Sequence, residues 1–430
     1  MKKILAILMI LCAAAVFAED KLMPRFTVPT AWSNGMGGAH TAYTDDVFAL
    51  LVNPAALIRA QQRSVFSLSP SILSPETALN LIDPVSSAVG GGSSTTDIIK
   101  SFGSTLDAIS GMGGKIPLGA SIREFPLSIA YAANGFGFGL WNTSSFNVNV
   151  QGLYVHVSAF EDVILPIGFA FRIYDNGSQS VDAGFTVKGF GRAMASASES
   201  ILNLASGNTD SLTGSLSVPL IVGGGVDLGL MYRTGGFRLG LTATDVYTRG
   251  VVVSTLSGAE DTNNYAVPLN FNFGAAYDLN IGTMWTYAPR FLAKSGLVAT
   301  FDWRDLGNIF DQDNYLEERN ALLNMGLGLE LYLGGIFKFR AGLNEMLPAV
   351  GAGIHLGFFK LDVAYYGREL GKEPGELSVA ALDLTIAIRP EAKKKKWPWA
   401  KKPFFGGYVE PDEDAGKAIG DNQDTDIDVD

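Results

Sequence analysis

The stretch "IGFAFRIYDNGSQSVDAGFTVKGF", residues 167–190, contains two runs of alternating residues joined by a turn signal, Asp175-Asn176-Gly177. In both runs, apolar residues occupy every second position. Small, polar or charged residues lie between them: Gly168, Ala170, Arg172 and Tyr174 in the first run, and Asp182, Gly184, Thr186 and Lys188 in the second. Because successive side chains of a strand point to opposite faces, the stretch predicts a β-hairpin with one apolar face.

The same alternation returns in "MGLGLELYLGGIFKFRAGL", residues 325–343. A three-residue loop at 334–336 keeps the faces in register and sets Glu330 opposite Arg340, which predicts an ion pair across the hairpin. Further alternating segments lie at residues 237–244, 297–303, 359–366 and 381–388. The period-two pattern therefore recurs along most of the chain.

Composition separates the two folds that such strands can build. A soluble β-protein also alternates, but its polar face is in water and rich in Lys, Glu and Thr. Here that face is rich in Gly and Ala, and the chain has 50 glycines with only 17% charged residues. We predict an all-β transmembrane β-barrel over residues 63–389, with about 14 antiparallel strands, because an even number returns both ends to the periplasm. A periplasmic or secreted β-protein is the alternative.

The first 18 residues have the pattern of a signal peptide. Lys2 and Lys3 precede a short apolar core, and small residues ending at Ala18 fit a cleavage site. The alternative is a lipoprotein acylated at Cys12, although the bulky Leu11 before it does not suit that processing. Cys12 is the only cysteine, so the processed chain would contain no disulfide, thiolate metal site or cysteine nucleophile.

The stretch "GMGGAHTAYTDDVFALLVNPAAL", residues 35–57, carries the resemblance to a known family. Its Gly37-Gly38 cluster, its acidic pair and Asn53-Pro54-Ala55 resemble the N-terminal signature of the FadL-like outer-membrane proteins. An uncharacterised spirochaete branch of that superfamily is the more specific resemblance. The family takes up long-chain fatty acids and other hydrophobic compounds. The resemblance implies a bacterial outer-membrane location and a small hatch over residues 19–62 that plugs the barrel.

The hatch motif has two compatible interpretations. Glycines allow the backbone to lie close to the barrel wall, and Pro54 fixes a turn beside Asn53, whose side chain can bond neighbouring backbone. In the structural interpretation, these residues serve only to shape a compact plug. In the functional interpretation, the end of the plug also lines the ligand route.

Residues 74–115 interrupt the strand pattern and predict two short amphipathic helices on the outer side of the barrel. The resemblance implies that hydrophobic ligand is first captured here. The capture candidates share apolar character and helical spacing: Leu79, Leu81, Ile98, Phe102 and Leu106. A helical lid that packs only on its own barrel is the alternative.

Several charged residues fall on the face predicted to line the lumen: Arg172, Lys188, Glu330, Lys338 and Arg340. A fatty-acid ligand needs a cation for its carboxylate, and the four basic members of this set are equivalent candidates. The net charge of −11 argues against nucleic acid as a partner. The three histidines have neither metal-ligand spacing nor a recognisable triad, so the sequence predicts no enzyme, no metal and no cofactor.

Residues 390–430 differ sharply from the strands and predict a disordered, charged periplasmic tail. A basic run at 393–396 with Trp397 and Trp399 suits outer-membrane lipid headgroups. The aspartates near the end lack the glycine and bidentate glutamate of a calcium loop.

Together these patterns predict an outer-membrane channel that takes up hydrophobic molecules such as long-chain fatty acids, by capture outside and passage past the hatch. The alternative is a non-transporting scaffold that binds a periplasmic partner through residues 391–430.

Overall fold

The computed structural model describes residues 21–26, 30–44, 46–60, 63–73, 120–123, 127–133, 135–151, 154–200, 218–256, 261, 263–281, 289–306, 319–376 and 378–389. The predicted signal peptide, the helical insertion at 74–115 with its five capture candidates, and the tail at 390–430 lie outside these residues. They remain predictions.

Strands account for most of the described chain. Their bounds are β1 Lys21–Leu22, β2 Arg63–Leu68, β3 Ser71–Leu73, β4 Ala120–Arg123, β5 Leu127–Ala133, β6 Phe136–Gln151, β7 Tyr154–Asp175, β8 Gln179–Ser200, β9 Pro219–Thr234, β10 Phe237–Thr244, β11 Arg249–Thr255, β12 Asn264–Ala266, β13 Asn270–Asn280, β14 Gly296–Trp303, β15 Met325–Leu333, β16 Phe337–Asn344, β17 Leu347–His355, β18 Phe359–Glu369 and β19 Ser378–Ile388. The helices are α1 Ala31–Gly35, α2 Ala49–Val52 and α3 Arg290–Ala293, with 3₁₀ helices η1 Pro54–Arg59 and η2 Ala321–Asn324.

The sheet closes on itself as an antiparallel barrel of fourteen strands. Four barrel strands are interrupted and consist of two segments each, namely β2 with β3, β4 with β5, β10 with β11, and β12 with β13. The last strand, β19, pairs with both β2 and β3, which removes the free edge. The predicted fold class and strand number are confirmed.

Both sequence hairpins form, and the second one, β15–β16, has the predicted register. The loop at 334–336 joins β15 to β16 and sets Glu330 directly opposite Arg340. In the β7–β8 hairpin, the turn after Asp175 is also present, but a β-bulge shifts the register between Arg172 and Tyr174. The strict alternation predicted through Tyr174 therefore ends at the bulge.

The barrel has an apolar outside and a polar inside. Half-exposed apolar side chains face outward from almost every barrel strand: Phe66, Ile129, Phe138, Leu165, Val187, Leu230, Leu241, Tyr277, Leu329, Phe339, Val350, Tyr365 and Leu382. The lumen face instead holds buried charges: Asp162, Asp182, Lys188, Arg192, Asp227, Arg233, Glu330, Arg340 and Asp362. This inversion of a soluble protein suits a lipid bilayer, and the protein is a bacterial outer-membrane barrel.

Among the described residues, no helix is long and apolar enough to cross a membrane.

The two ends of the barrel differ in their connections. Short turns join β7 to β8, β9 to β10, β15 to β16 and β17 to β18 at the end where β2 begins and β19 ends. The longest connections, after β3, β8 and β14, lie at the opposite end. Since outer-membrane barrels have short periplasmic turns and long extracellular loops, the short-turn end is the periplasmic mouth.

The described residues among 21–60, namely 21–26, 30–44 and 46–60, are here called the N-terminal segment and lie inside the barrel. Helix α1 packs against β16 to β19, and η1 packs against β5 to β9, so the segment crosses the lumen. A capping box at Thr30 begins α1, where the Thr30 side chain accepts a hydrogen bond from Ser33 N. Strand β1 pairs in parallel with β12 near the extracellular end.

Candidate functional site

Glycines on the lumen face line the surface that the N-terminal segment contacts. A Cβ at any of them would meet atoms of the segment, and together they form what we call the glycine belt: Gly137, Gly168, Gly184, Gly229, Gly240, Gly274, Gly326, Gly328, Gly342 and Gly351. At Gly184, for example, a Cβ would lie 2.5 Å from the Pro54 carbonyl carbon. The belt lets the segment's backbone lie directly on the wall.

Asn53 of the predicted hatch motif is fully buried and all its side-chain hydrogen bonds go to backbone. Its Nδ2 donates to the carbonyls of Thr41 at 3.0 Å and Leu230 at 3.3 Å, and its Oδ1 accepts from Ala55 N at 3.1 Å. Asn53 therefore caps η1 and binds the segment to β9 at the same time. Pro54 occupies the first turn of η1, where its missing N–H costs nothing.

Gly37 and Gly38 of the motif follow α1 with φ of +66° and +75°. L-residues with a Cβ rarely adopt these values. A Cβ at Gly37 would also meet the carbonyl oxygens of Leu327 and Leu343, and one at Gly38 would meet the Arg304 guanidinium. The sequence motif thus marks two places where the segment turns against the wall.

Helix α1 is held by polar contacts with the last two barrel strands. Asn34 Nδ2 donates to Tyr366 Oη at 3.0 Å and to a carboxylate oxygen of Asp383. The backbone N–H of Ala31 donates to Thr385 Oγ1 at 3.0 Å. Further along the segment, Asp302 of β14 accepts from the backbone N–H groups of His40 and Thr41, each at 2.8 Å.

Three of the predicted lumen charges form one cluster at β15 to β18. Arg340 Nε donates to Glu330 at 2.6 Å and its Nη1 donates to Asp362 at 2.7 Å, which confirms the predicted Glu330–Arg340 pair. Lys338 lies 3.4 Å from Glu330. His355 Nε2 lies 2.9 Å from Asp362 Oδ1, so this histidine belongs to the ion-pair network.

Lys188 forms a separate buried cluster that bridges an interruption of the wall. Its Nζ lies 2.8 Å from Asp227 and 2.7 Å from Asp245. Asp245 follows β10, has φ of +57°, and donates its backbone N–H to Asp227 at 2.7 Å. Burying these charges together satisfies groups that would otherwise be costly inside the barrel.

Arg172 lies at the periplasmic mouth and is also paired. Its Nε donates to Asp182 at 2.9 Å and its Nη1 donates to Asp175 at 2.6 Å. Asp182 also accepts from Arg233 of β9. Each of the four cations considered for a ligand carboxylate therefore already has a carboxylate partner.

An apolar cluster lies in the extracellular half of the lumen. It consists of Met23, Phe26, Phe190, Ile221, Tyr265 and Val267, and we call it the apolar lumen cluster. Met23 and Phe26 come from the N-terminal segment, and the rings of Phe26 and Phe190 are 4.7 Å apart between centroids. Gly223 and Gly250 leave room for the Phe190 ring.

Arg192 borders this cluster, and Arg304 lies beside the turn at Gly38. Arg192 is buried, binds Asp162 at 2.6 Å, and lies over the Phe26 ring at 4.3 Å. Arg304 is half-buried beside Gly38, and its side chain donates to Asn344 Oδ1 at 3.1 Å and to the Asn324 carbonyl at 3.4 Å. Neighbouring Asp305 binds Arg25 of the N-terminal segment at 2.8 Å.

Sequence reasoning missed several of these residues. Asp227, Asp245 and Arg192 were not identified because their partners lie on other strands, and Phe26 lies before any recognisable pattern. Arg192 could have been predicted from the alternation, because it lies on the same face of β8 as Lys188. Among the described residues, no group of three or more His, Cys, Asp or Glu side chains could hold a metal ion.

Comparisons with known proteins give distant structural similarities. The toluene transporter TodX of P. putida is 14% identical over 84% of this chain and 98% of that one, with a TM-score of 0.46. The toluene transporter TbuX of Ralstonia pickettii is 13% identical over 84% and 97%, with a TM-score of 0.44. A FadL homologue of Pseudomonas aeruginosa is 10% identical over 85% and 99%, also with a TM-score of 0.44.

No protein-family model and no curated protein matches the chain. The strand pairings and the apolar outer surface themselves show the barrel fold.

Proposed function

We propose that this outer-membrane barrel takes up hydrophobic molecules, and that the N-terminal segment acts as the hatch. The observation that carries the proposal is the apolar lumen cluster. Most of the lumen face is charged or small, yet this cluster offers buried apolar side chains next to the hatch. A hydrophobic molecule gains about 25 cal/mol for each Å² of apolar surface that it buries there.

Met23 and Phe26 occupy the cluster through a part of the segment with few backbone bonds. Strand β1 pairs with β12 over only two residues, Lys21 and Leu22. Elements with so little pairing open most easily. Ligand would replace Met23 and Phe26 in the contacts with Phe190 and Ile221. This exchange would loosen the extracellular end of the hatch.

Long-chain fatty acids are one substrate class within this proposal. Arg172, Lys188, Lys338 and Arg340 would each have to leave an internal carboxylate before binding one from a ligand. Arg304 instead donates to an amide and a carbonyl oxygen beside Gly38, with Glu345 and Asp302 within electrostatic range but not hydrogen-bonded to it. We therefore assign carboxylate recognition to Arg304, with the acyl chain towards the apolar lumen cluster.

The first experiment measures binding to the refolded barrel in detergent. We expect a fluorescent fatty acid and an uncharged fluorescent hydrocarbon both to bind saturably. Ile221→Asn places an amide in the apolar lumen cluster and should weaken both probes about tenfold, since burying an unpaired amide costs about 1–3 kcal/mol. Val222→Asn is the matched control, because Val222 is the next residue and faces outward. Equal binding by both variants would place the ligand elsewhere.

Arg304→Gln separates the substrate classes. We expect it to weaken binding of the fatty acid and leave binding of the hydrocarbon unchanged, whereas equal effects would contradict carboxylate recognition by Arg304.

Removing residues 75–115 tests capture at the outer insertion, and uptake should fall while the barrel still folds. Removing residues 391–430 tests the scaffold alternative, because transport should survive that loss and partner docking should not.

A further inference from the structure

Four arginines converge at the periplasmic mouth, beside the last residue of the hatch. Arg59 ends η1 and is exposed, and it lies within electrostatic range of Arg172 and Arg238 and of the carboxylates Asp175 and Asp182. Arg233 lies within the same range of Arg59. We call Arg59, Arg172, Arg233 and Arg238 the arginine cluster.

The nearby carboxylates do not neutralise the cluster completely. Asp175 and Asp182 bind Arg172, Asp182 also binds Arg233, and Asp278 lies 3.4 Å from Arg238. Within the part of the chain that the structure describes, Arg59 has no carboxylate at ion-pair distance. The four guanidinium groups thus face three carboxylates, and Arg59 is the member without a direct carboxylate contact among the described residues.

The chain itself supplies an anionic segment at this mouth. Strand β19 ends at Ile388 on the periplasmic side, and residues 390–430 follow it. Residues 410–430, here called the acidic segment, carry nine acidic side chains and a single lysine: Glu410, Asp412, Glu413, Asp414, Asp421, Asp424, Asp426, Asp428 and Asp430, with Lys417.

The connection between β19 and the acidic segment is long enough to cross the mouth. About 20 residues separate them, and an extended chain covers up to about 3.3 Å per residue. Because the segment is tethered, its effective concentration at the mouth is on the order of millimolar. Such a concentration allows several weak, exposed ion pairs to hold the segment in place.

We propose that the acidic segment docks on the arginine cluster and pairs with Arg59, so that the tail holds the periplasmic end of the hatch. Arg59 is the natural contact, because it is the exposed member and belongs to the hatch. The other three arginines keep their internal partners and add positive potential. The docking would fasten η1 to the mouth and oppose its movement. It does not depend on what the barrel transports.

Disulfide trapping tests the contact in the full chain. Cys12 is the only native cysteine, so Cys12→Ala with Ser178→Cys and Thr425→Cys leaves one pair that can form. Ser178 is exposed in the turn after Asp175, next to the arginine cluster. We expect an intramolecular disulfide under mild oxidation, with its yield reduced at least fivefold in about 0.5 M NaCl, because salt screens exposed charges.

Arg59→Glu should reduce the yield at least fivefold, and Arg59→Gln should reduce it less. Lys294→Glu is the matched control, since Lys294 is a periplasmic-side cation outside the cluster. Heat-modifiability on a gel verifies that each variant is a folded barrel. A yield unchanged by Arg59→Glu, an equal loss in Lys294→Glu, or a disulfide-linked dimer in place of the monomer would each overturn the proposal.

Discussion

Two helices of the N-terminal segment, η1 and α1, contact the barrel in different ways. At η1, the backbone of Asn53-Pro54-Ala55 lies on Gly184 and Gly229, and the adjoining side chains enter an apolar cluster with Trp141, Ile164 and Met231. Helix α1 also approaches the wall closely, where Gly35 meets Gly351, but hydrogen bonds from the Asn34 side chain and the Ala31 N–H additionally join it to β18 and β19.

This difference separates two physical ways of fixing a plug. Close packing on glycine depends on shape and fails abruptly when a side chain is added. Hydrogen bonds between part-buried groups contribute about 1 kcal/mol each and are lost one at a time. We expect η1 to be the more firmly held helix, and α1 to detach from the wall at a lower free energy.

Gly184→Val should have the largest effect, because its side chain would overlap the backbone of Pro54 and Ala55. We expect destabilisation by about 3 kcal/mol and a displaced hatch. Planar-bilayer recordings should show larger conductance. The control is Gly189→Val on the same strand, where no atom lies within 4 Å of an added Cβ. Equal behaviour of the two variants would contradict the glycine-belt interpretation.

Asn53→Ala should have the next largest effect. It removes the cap of η1 and leaves the Thr41 and Leu230 carbonyls without this donor in a buried site. We expect a loss of about 2 kcal/mol, measured as a lower midpoint of heat-modifiability. A midpoint within error of the wild type would show that packing alone holds this end.

Asn34→Ala should have a smaller effect, about 1 kcal/mol, since Asp383 keeps its hydrogen bonds from Ser71 and Tyr366. Conductance should rise only in brief openings, because η1 still fills its side of the lumen. If Asn34→Ala opened the barrel more than Asn53→Ala, α1 would be held more firmly than η1, contrary to our expectation.

In the double variant Asn34→Ala/Asn53→Ala, the coupling free energy between the two substitutions should be the smallest effect of all. The two side chains share no hydrogen-bond partner, so their effects should add to within about 0.5 kcal/mol. A double-mutant cycle on the same thermal midpoint measures this coupling. A larger coupling would mean that the segment detaches as one unit.

The barrel was predictable because its signal repeats in every strand. Alternation of Leu329 and Leu331 with Glu330 determines which face meets lipid, and the three-residue loop determines which residues pair. The bulge after Arg172 was not predictable, since one extra residue leaves the composition of a strand unchanged. Interruption of β10 and β11 escaped prediction for the same reason.

The candidate site was predicted only in part. Asn53 and Pro54 stand out in sequence because their turn chemistry is local. The partners of Lys188 lie 39 and 57 positions further along the chain, and only pairing of neighbouring strands brings them together. The role of Phe26 could not be predicted, because a single aromatic residue has no sequence pattern and its contacts come from distant parts of the chain.

The sequence by itself determined the period-two alternation, the apolar outer face and the Asn53-Pro54 turn motif, because these depend on neighbours within a few residues. The tertiary structure decided which glycines touch the hatch, which charges neutralise each other and where the lumen is apolar. Those features arise from residues distant in sequence, and closure of the barrel fixes their distances.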